Sequence, residues 1–221
     1  TTGYRVIKAL PSRDQWATSY FDIIIFRYAE ALLIYAEAKA ELGTITQEDL
    51  DKSINLLRDR VGMPHLNLAE ANANPDPFLE NQYPNVEQGE NKGVILEIRR
   101  ERRIEMFNEG LRWDDLMRWK EGEKVEQPML GIYFSGLGGH DFNGDGQPDV
   151  WVHDGNTSGA PGSVTSFINI QQRPLTEGTS GNLNPFGYGG SFDESRDYYY
   201  PIPIEDLQLN DNLEQNPGWE N

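Results

Sequence analysis

Cysteine is absent from the 221 residues. That excludes a disulfide framework, thiolate catalysis and any cysteine-ligated zinc site. Histidine is almost as scarce, with three in the chain, His65, His140 and His153. No H-E-x-x-H or comparable spacing gathers them into a zinc set. Basic residues are also in short supply, 19 against 36 acidic, for a net charge of −17. A basic stripe is what nucleic acid or an anionic membrane surface requires, so neither is expected as a partner. No apolar run reaches membrane-spanning length. G-x-S-x-G, a phosphate-binding glycine loop and a Rossmann fingerprint are all missing, and nothing in the chain gives positive support for an enzyme. Beginning T-T-G-Y without a methionine, the chain reads as a trimmed or mature fragment.

What is present divides by composition. Residues 1–22 read as irregular, and Ile23–Phe26 as a short strand or buried lead-in. From Arg27 to Leu42 an alanine-rich series predicts a strong helix with Glu30, Glu37 and Glu41 as its one polar stripe and apolar surface elsewhere. Gly43 suits a C-cap. Thr46 suits the N-cap of a next helix, carrying Leu50, Ile54, Leu57 and Val61 as one stripe and ending at Gly62. Over residues 27–64 this is the pattern of a tetratricopeptide-like helical pair, which cannot cover its own apolar faces alone. Residues 65–92 are rich in Asn, Pro and Glu and read as a long surface connection.

Residues 93–120 are expected to supply the covering core helices. In E-R-R-I-E-M-F-N-E-G-L-R-W-D-D-L-M-R-W-K (101–120) apolar side chains point in nearly every direction, so the helix should be covered on most sides and its charges partly buried. Glu97, Glu101, Glu105 and Glu109 fall four apart, with Arg100, Arg102, Arg103 and Arg112 within reach as partners. Gly110 is placed as the helix end and Trp113–Lys120 as a second short helix. A catalytic carboxylate pair is the sharper reading of this cluster. Carboxylates among so many arginines should have lowered pKa values, which suits structural ion pairing better than proton donation.

Beyond Lys120 the chemistry changes. Met129–Tyr200 holds 14 of the 22 glycines, with eight acidic residues, two arginines and many aromatics, which predicts loops and short strands. Within it, H-D-F-N-G-D-G-Q-P-D-V-W (140–151) places Asp141, Asn143, Asp145 and Asp149 at loop positions one, three, five and nine, with the Gln147 carbonyl at seven. Hard oxygen ligands at alternate positions, with Gly146 for the sharp turn, are what a calcium loop needs. Val152 replaces the bidentate glutamate of an EF-hand, so the loop is closer to the D-x-[DN]-x-D-G-x-x-D type that pins hairpins. The expectation is a structural Ca2+. Sugar sites combine exposed aromatic faces with amide and carboxylate groups. The 151–188 segment offers Trp151, Asn156, Asn169, Gln171, Gln172, Arg173, Phe186 and Tyr188, of which Trp151, Asn156, Gln172, Arg173 and Tyr188 are the selected ligand-binding candidates.

Several stretches together resemble one family, the SusD/RagB nutrient-binding outer-membrane lipoproteins. They are T-G-Y at the start, R-Y-A-E-A-L-L-I-Y-A-E-A (27–38), I-N-L-L-R-D-R-V-G-M-P (54–64), the 101–119 segment, Y-P-I-P-I-E-D (200–206) and Q-N-P-G-W (215–219). The resemblance makes residues 1–221 the C-terminal portion of such a protein: mainly α, with tetratricopeptide-like helical pairs and a loop-rich insertion over 129–200 containing short strands. It implies a non-catalytic, surface-exposed binder of oligo- or polysaccharides, lipid-anchored in the bacterial outer membrane through an earlier segment. Such a binder works with a TonB-dependent SusC-like transporter in nutrient uptake. No family binding residue maps onto a matching position here. Two other readings compete: a helical-repeat scaffold for proteins or peptides without sugar affinity, and a hydrolase using the Asp141–Asp149 carboxylates.

Overall fold

A computed structural model describes residues 2–8, 13, 24–87, 89–187 and 189–220. The chain divides into two compact units, residues 8–121 and residues 1–7 with 122–221. It is mainly helical with a few short strands.

The helical unit is built on α1 (Tyr28–Glu41) and α6 (Lys92–Glu105). Ala29, Leu32, Leu33, Ala36 and Ala40 recur at helical spacing along α1 and are buried, and Val94 and Ile98 of α6 join them in one cluster. Small alanines let the two backbones approach closely. The expected polar stripe of α1 faces water only at its end, where Glu41 is exposed, while Glu30 is partly buried. Glu37 is buried and paired with Arg118, while Glu30 and Glu41 stand 3.9 and 3.5 Å from Arg102 and Arg99. Arginines of α6 and α7 (Arg112–Arg118) draw this stripe inward, and Tyr28, Ile34 and Tyr35 are left exposed instead. The lead-in also differs from expectation. Ile24, Ile25 and Phe26 form neither a strand nor a buried segment and are exposed, and Ile23 lies outside the described residues.

The single helix expected after Thr46 is two, α2 (Gln47–Asp51) and α3 (Ile54–Arg60). Thr46 and Asp49 make the reciprocal capping box of α2. At the break, the buried Ser53 hydroxyl donates to the Asp49 carbonyl at 2.5 Å, a local bond that competes with the continuing helix. Leu50, Ile54 and Leu57 remain on one buried stripe, but Val61 is exposed. Gly43 and Gly62 take the left-handed conformation (φ 69° and 70°) past the ends of α1 and α3.

Residues 65–92 are not merely a surface connection. They fold into α4 (Leu68–Ala73) and α5 (Pro77–Gln82), capped by the side chains of Asn67 and Asp76. Leu66 enters the first core, and Leu79, Tyr83 and Val86 form a second with Leu96 and Trp119. At Gly93 an added Cβ would stand 1.8 Å from the Ala71 carbonyl oxygen, so α4 rests on α6 where only glycine leaves room. Helix α6 ends at Glu105, five residues before Gly110, and the turn between runs through left-handed Asn108 (φ 62°) and Gly110 (φ 83°). Ile104 and Phe107 are exposed, so α6 is not covered on every side.

The acid and arginine cluster is an ion-pair network, with partners drawn from farther away than expected. Glu97 and Glu101 accept from Arg58 of α3 (3.3 and 3.0 Å), and Glu105 pairs with Arg27 (2.8 Å) and Arg60 (2.6 Å). Arg27 also reaches Glu109 at 2.8 Å. Of the arginines on α6, Arg100 pairs with Asp76 at 2.8 Å and with Glu97, and Arg102 Nε donates to both Asp115 oxygens at 2.8 Å. Arg112 lies 5.8 Å and 5.7 Å over the Tyr83 and Trp119 rings.

The other unit is loop-rich. β1 (Tyr133–Phe134) pairs antiparallel with β5 (Gly181–Asn182). In a three-stranded sheet, β2 (Gly138–His140) lies antiparallel and β4 (Ser166–Asn169) parallel to the central β3 (Val150–His153). Phe134, Val152, Leu175 and Leu183 form its core. A short 3-10 helix opens the segment at Gly122–Glu126, and α8 (Ile204–Leu209) near the end buries no residue. Trp219 ties down the tail, donating to the Tyr199 carbonyl at 3.0 Å beneath the Arg196 guanidinium.

Candidate functional site

The D-F-N-G-D-G-Q-P-D segment is the β2–β3 hairpin connection, closed by the Asp149 amide donating to the His140 carbonyl at 2.9 Å. Its polar oxygens are turned into the loop. Asp141 accepts from the amides of Gly144 (2.7 Å) and Gly146 (2.8 Å), Asn143 Oδ1 from Asp145, and Asp145 Oδ1 from Gln147. Gly144 and Gly146 adopt φ of 79° and 84°, which makes these close turns possible. The amides of Gly146 and Gly144 hold the Asp141 carboxyl below its ordinary pKa. Asp149 accepts from the Phe142 amide (2.8 Å), the Asn143 amide (3.2 Å) and Asn143 Nδ2 (2.9 Å). Among the described residues no group of three or more His, Asp or Glu side chains stands in metal-holding geometry.

Beside this loop lies a cleft of about 540 Å³, a size ordinary for a small-ligand site. Ile132, Phe134, Val150, Ile168 and Leu183 give it an apolar floor, Phe142 and Phe167 add aromatic rings, and Asp149, Ser166 and Arg173 supply the polar groups. The Phe142 ring stands edge-on to Phe134 at 5.8 Å and nearly parallel to His140 at 6.2 Å, yet is about half exposed. A fixed aromatic with a free face beside a few polar groups can stack against a ring-shaped ligand and hydrogen-bond its edge.

The expected sugar candidates do not converge. Successive residues of a strand point to opposite faces. With Val150 and Val152 turned to the core, Trp151 faces away from the cleft. Its ring passes close to Gly139 and Gly159, where an added Cβ would lie 3.4 and 3.3 Å from it. Its cross-strand neighbour Phe167 stands edge-on to His153. Asn156 is exposed and accepts from the Ser158 amide at 2.9 Å as a turn residue. Gln171 donates to the Asp154 carbonyl at 2.8 Å, the Asn169 side chain accepts from the Gln171 amide, and Gln172 lies exposed in the same turn. Phe186 is an exposed bend residue. Tyr188 lies outside the described residues. Arg173 alone among the selected candidates lines the cleft. Phe142, Ser166 and Phe167 line it without being among the expected residues; the sequence cue for Phe142 is a lone aromatic inside an otherwise polar, glycine-rich turn.

Fold and cleft together define a class: a helical framework followed by a loop-rich unit with one aromatic-edged cleft. Residues 1–219 match the model of the SusD family, and the chain belongs to that family. It is 33% identical over 129 residues to the SusD-like protein P38 of Formosa agariphila, a match covering 58% of this chain and 22% of that one. Two solved structures from Bacteroides fragilis are similar. One is a SusD-like protein with TM-score 0.51 and 23% identity, covering 89% of this chain and 26% of that one. The other is a SusD-like carbohydrate binding protein with TM-score 0.50 and 26% identity, covering 86% and 28%. The chain thus spans about a quarter of the length of these relatives. No helix of the described residues is long and apolar enough to cross a membrane.

Proposed function

We propose that the protein is a non-catalytic glycan-binding component of a cell-surface uptake system. It is held at the bacterial outer membrane by a lipid anchor outside these residues and works with a SusC-like TonB-dependent transporter. Family membership supports this reading, as does the solved relative described as a carbohydrate binding protein. The observation that carries it in this chain is the cleft, where the half-exposed Phe142 ring stands beside Ser166, Asp149 and Arg173. Aromatic stacking contributes about 0.5–1.5 kcal/mol beyond area burial. Phe142→Ala should therefore weaken glycan binding about threefold to tenfold in calorimetric titration while leaving the melting temperature of the helical unit unchanged. Full affinity in that variant would remove the cleft from the reading. Absence of binding to any glycan, together with co-purification of a transporter, would favour a protein-binding scaffold.

A structural Ca2+ in the Asp141–Asp149 loop belongs to the same proposal. The residues suit a hard cation: Asp145 Oδ2 takes no hydrogen bond among the described residues, and each oxygen of Asp141 takes one amide, leaving lone pairs for a metal. Asn143 and the Gln147 carbonyl would complete the set. Chelator should lower the melting temperature of the wild type and have no effect on Asp141→Ala. Identical melting curves with and without chelator would end the calcium assignment.

A further inference from the structure

Residues 122–220 carry fifteen acidic side chains and only three basic ones, Lys124, Arg173 and Arg196. In such surroundings an arginine ordinarily finds a carboxylate, and Arg196 does, pairing with Asp197 at 2.7 Å. The Arg173 guanidinium, which lines the cleft, makes no hydrogen bond, ion pair or aromatic contact among the described residues. The acid that lines the same cleft does not take it. Asp149 spends both oxygens on its own loop, accepting two backbone amides and the Asn143 side-chain amide. What the cleft offers a ligand is therefore an aromatic face at Phe142, a hydroxyl at Ser166 and a cationic fork at Arg173 with five donors.

From this arrangement we infer that the cleft selects saccharides bearing an anionic substituent, a carboxylate or a sulfate ester, held by Arg173 while the sugar ring lies on Phe142. The inference rests on the glycan-binding reading above and adds the substrate class. A guanidinium matches either group bidentately, which a neutral hydroxyl cannot exploit as fully. With a net charge of −17 the protein repels polyanions in general. Preference for a charged sugar must then arise from a local contact and not from ion exchange.

The test is calorimetric titration of the protein with matched pairs: oligogalacturonate against its methyl ester, and a sulfated galactan oligosaccharide against its desulfated form. Poly-L-glutamate, a polyanion without sugar rings, serves as the charge control. At least one charged member should bind about tenfold or more tightly than its neutral partner. Arg173→Gln should erase that preference, bringing charged and neutral members of a pair to equal affinity, and Arg173→Lys should restore part of it. Which pair responds distinguishes carboxylate from sulfate. Equal affinity within both pairs, or a preference that survives Arg173→Gln, overturns the inference while glycan binding stands. Strong binding of poly-L-glutamate would also overturn it, by showing simple charge attraction. If no saccharide binds, charged or neutral, the glycan reading itself fails.

Discussion

Glu37 shows how much one side chain can hold. Burial alone would raise its pKa, but hydrogen bonds from Arg118 and Trp119 and the nearby Arg102 outweigh that and lower it below 4.5. Asp49, hydrogen-bonded by Tyr35 and Thr46, is lowered from 3.8 to about 2. Both folded-state values lie beneath the unfolded ones, so each carboxylate contributes stability that is complete above its unfolded pKa and is lost as pH falls through the folded value. Melting temperature should be flat from neutral pH to about 5 and decline below about 4.5 as these groups protonate. Glu37→Gln should lower stability at neutral pH by about 1–2 kcal/mol, since it weakens charge-assisted hydrogen bonds from an Arg118 that is half-exposed and keeps Asp115, and should make the acid-side decline shallower. An acid slope identical to wild type would show that Glu37 is not one of the titrating groups. That the cluster would be paired was legible from the mixture of glutamates and arginines. The identities were not, because Arg58 reaches Glu101 from 43 residues away and Arg27 reaches Glu105 from 78.

Elements with a strong period were legible and elements held by context were not. The apolar spacing of α1 and the Thr46 cap both appear where the sequence places them, within a residue or so. The α2–α3 break escaped because a continuous stripe of Leu50, Ile54 and Leu57 hides the local Ser53 bond. α4 and α5 escaped because six residues each carry too few apolar positions to show a period, and their burial depends on α6 beneath them. In the loop-rich unit, the 141–149 hairpin was legible from its own residues. The cleft beside it was not, since Ile132, Val150, Ile168 and Leu183 meet only once strand register is set. Register also separates Trp151 from Arg173, two residues that composition alone grouped together.

Across the whole molecule the charge is unevenly used. Residues 8–121 hold 21 acids and 15 bases, largely spent on one another, while residues 122–220 hold fifteen acids and three bases. Stability in the first unit and the proposed ligand chemistry of the second therefore draw on different chemical resources. At the end of α6, Arg27 pairs with Glu105 and Lys8 with Glu109, and together they clasp the helix end. Arg27 to Glu105 and Lys8 to Glu109 span 78 and 101 positions, so each contact must wait for a long loop to close, whereas α1, α2 and α3 form from neighbours. A contact made after the rate-limiting step governs escape from the native state more than arrival at it. Arg27→Met should accordingly speed unfolding in stopped-flow denaturant jumps while leaving the refolding rate nearly unchanged, and slowed refolding would place the clasp in the nucleus instead. As a late-closing latch, it would set how long the helical unit stays folded, a property that equilibrium melting does not report.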